Sequence, residues 1–348
     1  MLMTLFYLSG GLFLGWTLGA NNMSSVFGTA VGTKMVSFRT AAVIAGVCVI
    51  LGAVFSGAGV SQTMEQLGPI TTLPAAFITA LAAAFTVFLM TQAALPISAT
   101  QAIVGSIIGW SLYTHTTVNL PVVLDIVVAW FTSPILAAFV SLVLMLLLKA
   151  YLKAKPIGML YRDAYTRLGL IIAGACSAYA LGANNIGNVM GPFVAVVPFH
   201  PIVLTETIII SPLQQLFFLG GAAIALGIFT YSHSVIQTVG DGLLKMSPIE
   251  AFVVVTSHAL VLFLFSSTSL KSFLENYGLP SFPLVPLSSA GAVIGAVIGV
   301  SLLKNGQGLK ISELWRVARG WIITPLLAAI ICFFALFFME NVFTQQVL

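Results

Sequence analysis

The sequence predicts an all-α polytopic membrane protein built from two inverted-topology repeats of about five spans each, with interrupted helices at two matching motifs. Three observations carry this. The 348 residues are 59% hydrophobic and only 6% charged, with a mean hydropathy of +1.10, too little charge for the surface of a soluble domain. Apolar stretches of about 20 residues, long enough to cross hydrocarbon, recur along the whole chain. The run Leu-Gly-Ala-Asn-Asn occurs at 18–22 and again at 181–185, each time inside such a stretch. Nothing alternates as barrel strands do, and backbone groups in lipid must be satisfied within their own segment, so the spans are helices.

The repeat extends beyond that run. "GANNMSSVFG" (19–28) pairs with "GANNIGNVMG" (182–191), "AFITALAAAFTVFLM" (76–90) with "AFVVVTSHALVLFLF" (251–265), and "PISATQAIVGSIIG" (96–109) with "PLSSAGAVIGAVIG" (286–299), in the same order. The first repeat is taken as 1–150, a central cytoplasmic basic loop as 151–164, and the second repeat as 165–348. Crossings are expected near 1–33, 41–60, 73–92, 97–113 and 121–148, then 165–197, 206–230, 248–268, 284–303 and 319–340. Segments 97–113 and 286–303 could instead dip in and return.

An odd number of spans per half forces the halves into opposite orientations. Lys34, Arg39, Lys149, Lys153, Lys155, Arg162, Arg167, Lys245, Lys304, Lys310, Arg316 and Arg319 then all fall on one side, and only Lys271 on the other. The positive-inside rule makes the crowded side cytoplasmic, with both termini outside a plasma or inner membrane. The net charge of +4 therefore marks topology, and no nucleic-acid partner is expected. No positive residue precedes Lys34, so the first apolar run is read as part of the fold and not as a cleaved leader. Cys48, Cys176 and Cys332 have neither metal nor disulfide spacing.

Inverted repeats with matching interrupted helices mark secondary transporters. Gly19 and Gly182 invite a local break beside Asn21, Asn22, Asn184 and Asn185. Unpaired carbonyls at such a break, with Asn oxygens, could ligate a hard cation such as sodium, and unpaired amides attract an anion. Asparagines bonding across helices for packing alone is the plainer alternative. The third repeated element reads as two helix starts. Ser98 and Ser288 are N-caps, and Ala99, Thr100, Gln101, Ser289 and Ala290 fill the first turns. Two such starts entering from opposite sides can converge near the midplane. Ordinary capped helices at the membrane surface are the alternative.

No acidic residue and no Lys or Arg falls mid-span. Two helix N-termini together supply about one positive charge, so a bound dianion needs a co-bound cation. His258 is the one ionisable group deep in a span, and its repeat partner is Ala83. It reads either as a proton relay or as a neutral histidine bonded to Ser257 or Thr256.

These motifs resemble those of the PiT family of inorganic phosphate transporters, over nearly the whole chain. That family carries a duplicated Gly-Ala-Asn-Asp-x-x-Asn-x-x-Gly signature and a duplicated Pro-x-Ser-Thr-Thr-His-type motif. Gly19-Ala20-Asn21 and Gly182-Ala183-Asn184 match the first, with Asn22 and Asn185 in place of its Asp. Its later Asn is Asn188 in one copy and Ser25 in the other. In the second motif Ser98 and Thr100 match while Gln101 replaces His, and Ser288 and Ser289 match while Ala290 and Gly291 replace Thr and His. The resemblance implies a cation-coupled phosphate symporter with sodium as the expected ion, with a related branch carrying sulfate, and a homodimer in the bilayer.

The expectation is a transporter and no enzyme, importing phosphate (alternatively sulfate) with sodium as a co-transported ion and no other cofactor. Ser98, Ala99, Thr100, Gln101, Ser288, Ser289 and Ala290 are assigned to the anion. Gly19, Asn21, Asn22, Ser25, Gly182, Asn184, Asn185 and Asn188 are assigned to the cation and the helix breaks, with sodium at the Asn21/Asn22 and Asn184/Asn185 pairs. An anion channel is the weaker alternative, since paired occluding elements are not expected of channels.

Overall fold

The computed structural model describes residues 2–92, 98–155, 158–197, 199–203, 205, 209–233, 236, 246–304 and 311–348. Leu95, Pro96, Lys245 and Lys310 lie outside them. The described chain is almost wholly helical. In order it forms α1 (Leu2–Met23), one stretch of π-helix (Ser24–Gly28), α2 (Thr29–Gly32), α3 (Phe38–Ser56), α4 (Ala58–Leu67), α5 (Leu73–Gln92), α6 (Ala99–Thr114) and α7 (Leu120–Ala154). Then come α8 (Met159–Met190), a 3-10 segment (Gly191–Val196), a small hairpin of β1 (Ile202–Val203) with β2 (Ile209–Ile210), α9 (Pro212–Thr230), α10 (Pro248–Leu264), α11 (Thr268–Asn276), α12 (Ser289–Leu302) and α13 (Ile311–Asn341).

Local sequence sets the helix starts. Ser37, Asn119, Ser211, Ser247 and Ser267 each accept a bond from a first-turn amide. Ser211 and Ser247 complete capping boxes with Gln214 and Glu250. The apolar stretches then run on because lipid offers the backbone no other partner.

Among the described residues seven helices are long and apolar enough to cross a membrane, or eight if α10 and α11, bent by 65° at their junction, count as one span. The ten expected crossings also include α6 and α12, which are shorter than that test requires. Helices α6 and α12 have 16 and 14 residues, which is about 24 and 21 Å of rise against a hydrocarbon core of about 30 Å. Both are nearly enclosed by protein and begin at buried serines. The segment 151–164 is also mostly helix, because α7 runs to Ala154 and α8 starts at Met159, so its basic residues ride on helix ends.

The packing is duplicated with the halves exchanged. A Cβ on Gly19 of α1 would collide with the carbonyl of Ile224 in α9, and one on Gly182 of α8 with the carbonyl of Val49 in α3. Gly105 of α6 sits against Pro325 of α13, and Gly295 of α12 against Pro134 of α7. Gly11 and Gly15 of α1 lie against Val189 and Phe193 at one end of α8, while the ring of Phe27 lies against Gly174 at the other. The two corresponding helices therefore run antiparallel, as an inverted repeat requires. Small residues at these crossings let backbones touch, which is how helices associate where lipid removes the hydrophobic drive. The outer faces of α7 (Leu124, Val128, Phe131, Ile135, Phe139) and α13 (Leu326, Ile330, Phe334, Phe338) are exposed and apolar, as a lipid-facing surface must be.

Candidate functional site

The expected breaks at the asparagine motifs are not there. Helix α1 runs unbroken through Gly19, Asn21 and Asn22, and α8 through Gly182, Asn184 and Asn185. The irregular turns come later, as π-helix over Ser24–Gly28 and 3-10 helix over Gly191–Val196. The physical reason is that both glycines serve close helix crossings. A glycine without a Cβ permits a bend but does not impose one. Asn185 remains helical by donating to the carbonyl of Leu181 one turn back, at 3.1 Å.

Instead of breaking a helix, Asn184 holds another segment in place. Its Nδ2 donates to the carbonyl of Val285 at 3.0 Å, and its Oδ1 accepts from the amide of Leu287 at 2.8 Å. Residues 279–288 are non-helical, so their buried backbone groups need partners that no helix supplies. A side-chain amide offers a donor and an acceptor together, and here it acts as a strand neighbour would. The clasp fixes the approach to α12.

The two serine elements do converge. Ser98 and Ser288 cap their helices as the sequence predicts, accepting from the amides of Gln101 at 3.4 Å and Gly291 at 3.1 Å. The hydroxyl of Thr100, in the first turn of α6, donates to the carbonyl of Leu287, one residue before the α12 cap, at 2.8 Å. The two helix starts are thus in direct contact. Each leaves first-turn amides without an intrahelical acceptor: Ala99 and Thr100 in α6, Ser289 and Ala290 in α12.

Asn188 ties the asparagine motif to this junction. Its Nδ2 donates to Thr100 Oγ1 at 2.9 Å and to Asn185 Oδ1 at 3.0 Å. Its own Oδ1 and the Oε1 of Gln101 are buried with no hydrogen-bond partner among the described residues. Residues of the first copy are less engaged. Asn22 and Ser25 are buried, Asn21 is half-buried, and none of their side chains makes a hydrogen bond among the described residues. Ser25 lies in the π-helical stretch, which packs on α8, α10 and α12. A π turn inside a span often marks a functional position. Among the described residues no group of three His, Cys, Asp or Glu side chains gathers to hold a metal. The oxygens on offer are neutral amide and hydroxyl groups, a donor set for a hard cation.

His258 is fully buried and bonded at both nitrogens, but not to Ser257 or Thr256. Those two hydroxyls turn back to the carbonyls of Val253 and Phe252. The imidazole bridges Ser177 Oγ of α8, 2.6 Å from Nδ1, and Ser289 Oγ of α12, 2.8 Å from Nε2. The sequence carries no sign of Ser177, because only tertiary packing brings it to the histidine. Glu250 is buried near a span end and paired with Lys304, away from the cluster.

Such an arrangement defines a polytopic membrane protein with a polar interior assembled from two facing helix starts and a row of asparagines. Residues 18–272 match the sequence profile of the phosphate transporter family, and the chain belongs to that family. It is similar to a protein of Methanocaldococcus jannaschii named "Putative phosphate permease", 27% identical over 92% of this chain and 93% of that one. A Pyrococcus furiosus protein with the same description is 24% identical over 92% of each chain. Among solved structures, one titled "The sodium-dependent phosphate transporter" superposes with a TM-score of 0.76, covering 98% of this chain and 99% of that one at 22% identity. Its fold is the fold seen here. The family consists of transporters and not enzymes, as the sequence predicts.

Proposed function

We propose that the protein imports inorganic phosphate together with a cation, sodium first among the candidates, by alternating access around the junction of α6 and α12. The observation that carries this is the contact between the two helix starts through Thr100 and Leu287. An anion placed there meets the free amides of Ala99, Thr100, Ser289 and Ala290 and the hydroxyls of Ser98 and Ser288. The two N-termini contribute about half a charge each. Among the described residues no Lys or Arg completes the balance, so a cation must, and the unpartnered oxygens of Asn188 and Gln101 are its first ligands. Asn22 and Ser25 complete its shell from the first repeat, which also supplies Gln101, here moved from the anion to the cation. The sodium dependence named for the structural relative supports the choice of ion.

Asn184 is reassigned from cation ligand to support of α12, since both ends of its amide are already used. Sulfate is the second reading. The family's Asp is Asn at both 22 and 185, so no carboxylate stands ready to accept a phosphate hydroxyl. Both termini outside, and a homodimer meeting on an exposed apolar face of α7 or α13, complete the proposal.

The test is uptake of labelled phosphate and sulfate into proteoliposomes with and without an inward sodium gradient. Sodium-driven phosphate uptake is expected, and Ser288→Ala or Asn185→Ala should abolish it while the protein stays monodisperse. Undiminished uptake in both variants would sink the site, and uptake that never exceeds the imposed gradient would make the protein a channel.

A further inference from the structure

We propose that Ser177, His258 and Ser289 form a positioning relay that sets the hydroxyl of Ser289 as donor or acceptor toward the bound oxyanion, and so discriminates anions that carry a proton from those that do not. This rests on the transport reading above and deepens it. The three groups form one unbranched chain, with Ser177 Oγ at 2.6 Å from Nδ1 and Ser289 Oγ at 2.8 Å from Nε2. All three are buried, and Ser289 is the first residue of α12, beside the free amides of the proposed anion site.

A neutral imidazole has one N–H and one lone pair, so its two nitrogens play opposite roles. With the proton on Nε2, the ring donates to Ser289 Oγ and the Ser289 hydroxyl points its own proton at a bare anion oxygen. Nδ1 then accepts from Ser177. With the proton on Nδ1, Nε2 accepts from Ser289, whose oxygen is left to accept a proton from the anion. Hydroxyls at both ends permit either polarity, whereas a carboxylate or backbone carbonyl at one end would fix it. Phosphate near neutrality carries a hydroxyl and sulfate carries none. The relay therefore supplies what the missing Asp residues at 22 and 185 do not, a group that can accept from the phosphate hydroxyl.

The repeat strengthens the argument. By the offsets that align the two halves, Ser177, His258 and Ser289 correspond to Leu14, Ala83 and Ala99. All three partners are apolar, so the relay is present as a unit in one half and absent as a unit in the other.

The experiment compares phosphate and sulfate uptake by reconstituted wild type, His258→Ala, Ser177→Ala and the double variant. Alanine already occupies the equivalent of 258 in the first repeat. His258→Ala is expected to raise the KM for phosphate about tenfold, the worth of one hydrogen bond, with little change for sulfate, so the selectivity ratio moves. Ser177→Ala, which lies beyond the ring from the anion, is expected to move the ratio in the same direction. The double variant should be no worse than His258→Ala alone, because Ser177 acts only through the ring. A ratio unmoved in His258→Ala, or additive effects, overturns the relay while leaving transport intact. Wild type that carries neither anion overturns the transport reading and the relay together. If the variants do not fold, wild type labelled with 15N-histidine decides. Phosphate, but not sulfate, should shift the two ring-nitrogen resonances of His258 in opposite directions, and unchanged resonances overturn the relay.

Discussion

At the scale of single residues, the asparagines differ in kind although their motif repeats. Asn184 satisfies the backbone of the segment entering α12, Asn185 bonds within its own helix, and Asn188 reaches across to Thr100. Asn184→Ala would strand the amide of Leu287 and the carbonyl of Val285 in a buried place, at about 1–3 kcal/mol each. A lower Tm in detergent together with lost uptake is expected. An unchanged Tm would mean that the segment holds itself in place and that the clasp is incidental. These roles could not be read from the sequence, which offers the residue type at the position but not the partner. The caps at Ser98 and Ser288 could, because an N-cap bonds its own helix three residues on and the information is local.

At the scale of elements, two short helices decide the architecture. Helices α6 and α12 lean on glycines against helices that carry an internal proline, Pro325 in α13 and Pro134 in α7. A β-branched side chain at either glycine meets a backbone oxygen, which cannot rotate away. Gly105→Val and Gly295→Val should each destabilise the protein by more than the usual overpacking cost of about 1–3 kcal/mol. Gly32→Ala, where no atom lies within 4 Å of the added carbon, should be neutral. Thermal unfolding in detergent reads all three, and a stable Gly295→Val protein would refute the close crossing. These glycines stand at four-residue spacing in the sequence, Gly105 with Gly109 and Gly295 with Gly299, and the sequence marked the two helices as possible re-entrants. It misjudged Gly19 and Gly182 as breakers, since a glycine that bends a helix and one that admits a neighbour look alike in one dimension.

At the scale of the whole molecule, the halves interlock. Helix α1 packs on α9, and α8 on α3, so each repeat completes its motif helix with a helix of the other. The polar junction then sits where both repeats meet, which suits a site approached in turn from either side. Orientation is tested by single cysteines introduced into a cysteine-free background. Gln346→Cys should react with a membrane-impermeant maleimide in intact cells, and Lys155→Cys only after the cells are opened. The reverse pattern would invert the proposed topology and with it the direction of import.

The sequence by itself determined the membrane class, the repeated motifs and the two capped helix starts. Each depends on composition, spacing or a neighbour a few residues away, and lipid leaves a backbone few other solutions. Only the tertiary structure decided that the asparagine helices run on unbroken, that Asn184 serves α12 and that Ser177 and Ser289 share His258. Those contacts join groups from about 30 to more than 100 residues apart, and in a chain where nearly every face is apolar, only close packing selects which polar groups meet.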